Sequence, residues 1–377
     1  MAQETSIPGL YVHIPFCASR CGYCDFFSVT DMGLMAGFML ALVGEIDACR
    51  GEFREFDTVY LGGGTPSLLP LQQLERIMDR IRRVFRILPG AEITIEINPA
   101  DWRRDELFAV RELGINRISI GIQSFDEKEL ALLGRRHGRE QALRTLEDAA
   151  ASGFDNLGLD LIYGLPGQEF RQWQASLVQA LAFEPAHVSC YELELKPRTP
   201  LGRRYEQGEF PVRTEATQRD FFMKTSEFLE GSGYIHYEVS SFARGMGMAS
   251  RHNQKYWDHT PYLGLGPSAH SFRDGRRWWN HESIGDYIRD LENGKRPVSG
   301  REELTAEQLA LEALFLGLRT SRGIHLGQYR SRYGIDLMAE KGPLLKDLGR
   351  AGLIDIERDS IRPTRTGMAV ADSLALL

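Results

Sequence analysis

Short apolar runs and amphipathic stretches alternate along the first half of the chain. The runs Leu10–Phe16, Thr58–Leu61, Glu92–Ile97, Arg117–Ile122, Gly158–Tyr163 and His187–Leu195 are bounded by Gly, Pro or Asn, or by a helical pattern. Each predicts a strand. Helical spacing predicts helices near 33–50, 70–87, 103–113, 126–150 and 168–183 between them. Gly62-Gly63-Gly64-Thr65-Pro66 and Leu165-Pro166-Gly167 mark strand-to-helix turns. Repeated βα units imply a parallel sheet with right-handed crossovers. Units of about 25–40 residues suit either a (β/α) barrel or a doubly wound sheet. Six such units favour a partial barrel over a closed eightfold one, so the expected fold is α/β, a partial (β/α)6 TIM-like barrel.

The pattern loosens from about residue 204. A helix near 214–231 and a strand, Tyr234–Phe242, precede a Gly-, His- and aromatic-rich stretch that reads as loops. From Leu304 onward, helical patterns over 305–318, 325–332 and 336–350 lead into Gly352–Ile356 and a wing over Ser360–Thr366. This resembles a small winged-helix-like module. The expected division is 1–240 for the barrel, 241–303 for an irregular region packed on it, and 304–377 for the module. Residues 301–377 carry 11 basic and 11 acidic side chains, a balance that disfavours a phosphate-binding, DNA-reading role.

Composition narrows the class. The chain has 377 residues, 42% hydrophobic and 26% charged, which is ordinary globular composition and excludes a disordered or fibrous chain. A formal charge of −7 argues against a strongly basic nucleic-acid binder. Met1–Leu10 lacks the basic and apolar regions of a secretory signal. The apolar stretch Met32–Gly44 is too short to span a bilayer and reads as a packed helix, with a peripheral membrane contact as the alternative. A cytoplasmic protein is expected.

Of five cysteines, Cys17, Cys21 and Cys24 fall within eight residues, just after the first strand. Three thiolates can hold three corners of a [4Fe–4S] cluster and leave one iron open to a small chelating molecule. A zinc site completed by His13 is the structural alternative. Cys49 and Cys190 read as buried small hydrophobes.

The Cys-x3-Cys-x2-Cys motif, preceded by Tyr11-Val12-His13-Ile14-Pro15-Phe16, resembles that of the radical S-adenosylmethionine (SAM) superfamily. The likeness extends to the oxygen-independent coproporphyrinogen III oxidase family through Gly62–Pro66, Glu96–Pro99, Arg117–Phe125, Asp160–Gly167, Tyr237–Phe242 and Gly264–His270, in order. The resemblance implies a [4Fe–4S] cluster whose open iron chelates SAM, with reductive cleavage to methionine and a 5′-deoxyadenosyl radical. It implies SAM-binding roles for Gly62, Gly63, Gly64, Thr65, Glu96, Gln123, Arg135 and Asp160, with Tyr11 and His13 beside the cluster loop. Gly62–Thr65 follow the second strand, Glu96 and Asn98 end the third, Gln123 ends the fourth and Asp160 lies within the fifth, so they converge on the end at which barrel enzymes place their sites.

Two features depart from the oxidase pattern. The oxidase has a further cysteine where Phe26 stands here, and a longer segment ahead of the motif. His252-Asn253-Gln254-Lys255-Tyr256-Trp257 resembles instead the His-Asn-x-x-Tyr-Trp motif of a heme-chaperone branch of the same family, in which Asp-Phe also follows the third cysteine. That resemblance implies heme as a ligand, with His252 as a candidate axial ligand, and heme-requiring respiratory proteins as recipients. A homodimer is a further expectation. The oxidase activity is the alternative reading. His236, His259, His270 and His281 lie close by in sequence, and each is an alternative iron ligand.

Overall fold

The structure is a computed structural model that describes residues 6–374 apart from Val212. Six parallel strands form its centre: β1 (Gly9–Ile14), β2 (Glu55–Gly63), β3 (Arg86–Ile97), β4 (Arg117–Gln123), β5 (Asn156–Tyr163) and β6 (His187–Glu192). Helix α1 (Met35–Ala48) follows β1, α2 (Leu71–Val84) follows β2 and α3 (Arg104–Glu112) follows β3. Next, α4 (Glu127–Leu133) and α5 (Arg139–Ala151) follow β4, α6 (Phe170–Leu181) follows β5, and α7 (Pro200–Glu206) and α8 (Glu215–Gly231) follow β6.

Successive side chains of a strand point to opposite faces, and this divides the chemistry. Leu10, Val12, Ile14, Val59, Leu61, Ile93, Ile95, Ile118, Ile120 and Leu159 face the helices and are buried against Phe38, Leu42, Leu74, Ile77 and Ile81. Each such side chain contributes about 1.5–3 kcal/mol by leaving water. The opposite, inner face carries Tyr11, His13, Thr58, Tyr60, Thr94, Glu96, Arg117, Ser119, Asp160, His187 and Ser189, which the register places side by side. A packed barrel interior is mostly branched aliphatic; this one is a polar lumen.

The stretch expected to be loops is mostly regular. The expected strand Tyr234–Phe242 is a hairpin of β7 (Ile235–Glu238) and β8 (Ser241–Ala243), with β8 antiparallel on β6. Then come α9 (Arg251–Trp257), β9 (Tyr262–Leu265), β10 (His270–Arg273), β11 (Arg276–Asn280), α10 (Ile284–Glu292) and β12 (Val298–Glu303). Strand β9 lies parallel on the free edge of β1, and β10–β12 continue antiparallel, giving the sheet order β12-β11-β10-β9-β1-β2-β3-β4-β5-β6-β8-β7. Glu45 of α1 fixes this extension to the barrel. Its carboxylate accepts from Gly266 N at 2.7 Å, Tyr287 OH at 2.8 Å and Asn280 Nδ2 at 2.5 Å.

The single helix expected over 126–150 is two helices. Gly134, at φ +73°, ends α4 in a left-handed turn, and Gly138 caps α5. That break puts Arg135 in a loop facing the cysteines. The expected packed helix over Met32–Gly44 is observed, with Phe38, Met39 and Leu42 buried. Among the described residues no helix is long and apolar enough to cross a membrane.

After residue 304 the chain builds α11 (Ala306–Gly317), β13 (Ile324–His325), α12 (Leu326–Tyr333), α13 (Leu337–Arg350), β14 (Ile354–Ile356) and β15 (Ser360–Pro363). The three strands form a separate small sheet over their own core of Leu314, Leu318, Ile324, Leu337, Leu345, Ile354 and Ile361.

Candidate functional site

The cysteine loop leaves the C-terminal end of β1 and is closed by two backbone bonds, Cys17 N to Val29 O at 2.9 Å and Val29 N to Pro15 O at 2.7 Å. Gly22 N donates to Leu133 O at 2.9 Å, and Leu201 N donates to Gly22 O at 2.8 Å, so α4 and α7 hold its middle. Cys17, Cys21 and Cys24 are free, partly exposed thiols, whereas Cys49 and Cys190 are buried elsewhere, as expected of packed small hydrophobes. Beside Cys24, Asp25 pairs with Arg198 through Nη2 at 2.7 Å, and Phe26 is 73% exposed.

A chain of polar contacts joins two of the three cysteines. Thr65 Oγ1 lies 3.5 Å from Cys17 Sγ and accepts from Asn98 Nδ2 at 3.0 Å. Arg135 donates to Asn98 Oδ1, to Gly121 O at 2.7 Å and to Cys21 Sγ at 3.4 Å. The Arg135 guanidinium thus places a cation beside the Cys21 sulfur. Burial pushes the Cys24 thiol up. Three accessible thiols with a neighbouring cation suit an iron–sulfur cluster. His13 does not complete a zinc set: its nitrogens meet Tyr11 OH at 3.0 Å and Phe27 O at 3.0 Å. Among the described residues no three His, Cys, Asp or Glu side chains converge on a single-ion site.

The residues predicted beside SAM share this rim and the lumen below it. Gly63, at φ +111°, and Gly64 pack on β1 so closely that an added Cβ would lie 2.6 Å from the His13 ring and 2.7 Å from Phe16 O. Their lack of side chains therefore seats the cysteine loop as well as opening the backbone. Glu96 accepts from Tyr60 OH at 2.7 Å and from Gly63 N at 3.2 Å, and burial pushes its carboxyl up to about 7. Asp160 accepts from Ser119 Oγ at 3.0 Å, and burial raises its carboxyl too. Gln123 has φ +67°, a strained conformation for a residue with a Cβ. Its amide, Asn98 and Arg135 converge over Gly121, where an added Cβ would meet all three.

Among the described residues, Thr94 Oγ1, Arg117 Nε and His187 Nδ1 are buried in the lumen without a hydrogen-bond partner. Such atoms are expected to meet water or a ligand. Arg117, 1% exposed, was not singled out by the sequence reading; an Arg opening a strand gives no signal that it points inward.

His252 lies at the opposite end. It is 1% exposed, beside the N-terminal ends of β1 and β2. Its Nδ1 meets Thr58 Oγ1 at 2.8 Å and its Nε2 meets Tyr256 OH at 2.9 Å. Burial pushes its imidazole down to about 3, so it is neutral. Glu92 accepts from the backbone N of Arg251 at 3.1 Å and of His252 at 3.0 Å, capping α9. Lys255 pairs with Asp57 at 2.7 Å. Helix α9 thus stops the lumen at the end away from the cysteines, and in this arrangement His252 offers no free nitrogen to an iron.

Comparison with known proteins follows the same division. The sequence profile of the Radical SAM superfamily matches residues 11–178, and that of the HemN C-terminal domain matches residues 304–370. The protein named heme chaperone HemW from Synechocystis sp. is 40% identical over 331 residues, covering 85% of this chain and 80% of its own. This chain belongs to the HemW family. The Bacillus subtilis HemW is 32% identical over 368 residues, 97% of each chain. The solved structure of the coproporphyrinogen III oxidase HemN from Escherichia coli, described as a radical SAM enzyme, superposes with a TM-score of 0.85 at 25% identity, covering 100% of this chain and 91% of that one. The α/β partial barrel is therefore the radical SAM fold, which implies a [4Fe–4S] cluster and SAM as cofactors.

Proposed function

We propose that this protein is a heme chaperone: it binds heme and passes it to heme-requiring respiratory proteins. The observation that carries the reading is the HemW match over 85% of the chain, together with an intact three-cysteine loop. Cys17, Cys21 and Cys24 would hold the cluster, whose remaining iron position would be open to SAM. When bound, the cluster would supply the electron that reduces SAM's sulfonium. Arg135 and Thr65 steady the ligating sulfurs of Cys21 and Cys17. Glu96 and Asp160 offer carboxylates to the ribose hydroxyls or the ammonium, and the backbone of Gly62–Thr65 lines the carboxylate end. Tyr11 and Gln123 close the pocket from β1 and β4. Heme is cargo, and His252 enters this reading through α9, which it anchors.

The coproporphyrinogen oxidase alternative shares the fold but is not favoured, since the curated relatives that match carry the HemW name and Phe26, which is 73% exposed, takes the place of that enzyme's further cysteine. A peripheral membrane contact would use Met32 and Leu40, which are 41% and 63% exposed; a homodimer also belongs to this reading. The protein is expected to act in the cytoplasm.

The test is anaerobic titration of the iron–sulfur-reconstituted protein with hemin, followed by mixing with an apo-form of a heme-requiring respiratory protein. Saturable one-to-one binding and transfer of the Soret band to the acceptor are expected. Absence of saturable binding would overturn the reading, and turnover of coproporphyrinogen with SAM and reductant would replace it.

A further inference from the structure

The inner face of the sheet does not stop at β1. Register carries it onto the extension: Gly9 and Tyr11 neighbour Tyr262 and Gly264, Tyr262 neighbours Phe272, and His270 and Phe272 neighbour Trp279 and Arg277. Across the next ladder Trp279 faces Gly300. These residues form a shelf running away from the lumen, and its character is aromatic.

His270 stands on this shelf at the cluster end of the molecule. It follows the C-terminal end of β9 through a loop pressed on β1, where an added Cβ on Gly266 would lie 2.4 Å from His13 O. The imidazole is exposed, and no hydrogen bond to either of its nitrogens is present among the described residues. Burial and the Arg277 charge lower its affinity for a proton. Trp279 stacks beside it, with ring centroids 5.7 Å apart and planes 26° apart. The indole lies so close over β12 that an added Cβ on Gly300 would be 2.4 Å from its Cζ2. The outcome is a flat surface with one free imidazole.

One register step along the same face, a cavity of about 260 Å³ opens among Tyr256, Tyr262, Phe272, Phe315 and Arg277. Sites that enclose a drug-sized molecule hold roughly 300–1,000 Å³, so this cavity takes an edge of a large planar ligand, not the whole. Its other polar groups are already paired: Arg277 Nη2 meets Glu312 at 2.9 Å, and His259 meets Glu312 at 3.2 Å and Tyr333 at 3.1 Å. His259 is therefore not free to bind iron. His281 is held by Asp290 at 2.9 Å, and His236 by Ser226 at 3.0 Å and Val239 O at 3.2 Å.

We propose that heme lies flat on this shelf, with His270 as the axial ligand to iron, Trp279 beside the macrocycle and an apolar porphyrin edge in the cavity at Tyr256. The inference rests on the heme-chaperone reading and gives that reading a location. It also assigns the His252-Asn253-Gln254-Lys255-Tyr256-Trp257 segment a positioning role: His252 holds the Tyr256 hydroxyl, and Tyr256 lines the cavity. A neutral imidazole with a free nitrogen binds heme iron directly.

The experiment is hemin titration of wild type, His270→Ala and Trp279→Ala, read by Soret position, affinity and electron paramagnetic resonance. Exogenous imidazole is then added to the His270→Ala complex. His270 is exposed, so its replacement is not expected to disturb folding; circular dichroism checks this. Expected are an affinity loss of about tenfold or more for His270→Ala, the scale on which metal sites respond to lost support. A changed ligand-field signature, restored by imidazole, and a smaller loss for Trp279→Ala are also expected. If wild type binds hemin and His270→Ala matches it in affinity and spectrum, the shelf assignment fails while the chaperone reading stands. Weakened binding with an unchanged spectrum and no imidazole rescue likewise removes His270 as the ligand. No hemin binding by wild type overturns both.

Discussion

One face of one sheet carries two chemistries. Between β1 and β6 it presents Tyr11, Glu96, Arg117 and Asp160 inside a curved wall. Between β9 and β12 it presents Tyr262, Phe272, Trp279 and His270 on an open, antiparallel extension. The first suits a small zwitterion with many hydrogen-bonding groups; the second suits a broad, flat, mostly apolar ring. Curvature decides the difference. A parallel sheet wrapped by helices encloses its inner face, where buried polar groups strengthen each other's pull on a ligand. A flat extension cannot enclose, so it binds by area and by one directed bond.

Several experiments break or sharpen this contrast. The largest effect belongs to the cysteines. Replacing Cys17, Cys21 or Cys24 by Ala abolishes the cluster, measured as bound iron and sulfide, whereas Cys49→Ala retains it. If the two regions are independent, the cluster-free variants still take up hemin; loss of hemin binding in all three would show that lumen and shelf act as one site. Next, Glu45→Ala strips the carboxylate that holds Gly266, Asn280 and Tyr287, leaving Gly266 N and Tyr287 OH without their acceptor and Asn280 Nδ2 with Gly266 O alone. A loss of about 2–4 kcal/mol is expected from urea unfolding, since a buried donor left unpaired costs about 1–3 kcal/mol, and an unchanged midpoint would mean the extension is held some other way.

Gly134→Ala is smaller. A side chain at φ +73° costs roughly 1–2 kcal/mol. Because that turn sets Arg135, SAM affinity should fall while hemin affinity holds; an equal loss in both would break the comparison. The smallest effect concerns Glu96. Its carboxyl, raised from 4.5 to about 7 by burial, binds a proton in the folded chain that the unfolded chain has released. The stability it contributes is therefore full below pH 4.5 and lost as pH rises through about 7. A cation placed beside it lowers that pKa, so SAM binding near pH 6.5 should release a fraction of a proton. Calorimetry in buffers of different ionisation enthalpy reads this, and zero release would remove Glu96 from contact with SAM's charge.

The parallel core was legible because each strand is a run of branched residues facing helices, and each ends in glycine, proline or a helical pattern. The extension was not. Strands β9 (Tyr-Leu-Gly-Leu), β10 (His-Ser-Phe-Arg) and β11 (Arg-Arg-Trp-Trp-Asn) are four or five residues long, so neither length nor alternation marks them. The rim residues Thr65, Glu96 and Gln123 were found by family resemblance and by their place at strand ends, and Arg135 by resemblance alone. Asn98, the link between Thr65 and Arg135, was noted at the end of its strand without its role. The sequence signal around His252 suggested a ligand, yet its burial depends on Thr58, which lies 194 residues away. No local pattern carries information across that separation.

Helix α9 covers the end of the lumen away from the cysteines. With Glu92 on its N-terminus and His252 and Lys255 buried at the strand starts, that end is packed with side chains. Traffic through the rim then runs last in, first out: whatever sits nearest the rim leaves before whatever sits deeper. Water trapped beside Arg117 and His187 would be the slowest passenger of all, exchanging only when the rim is empty.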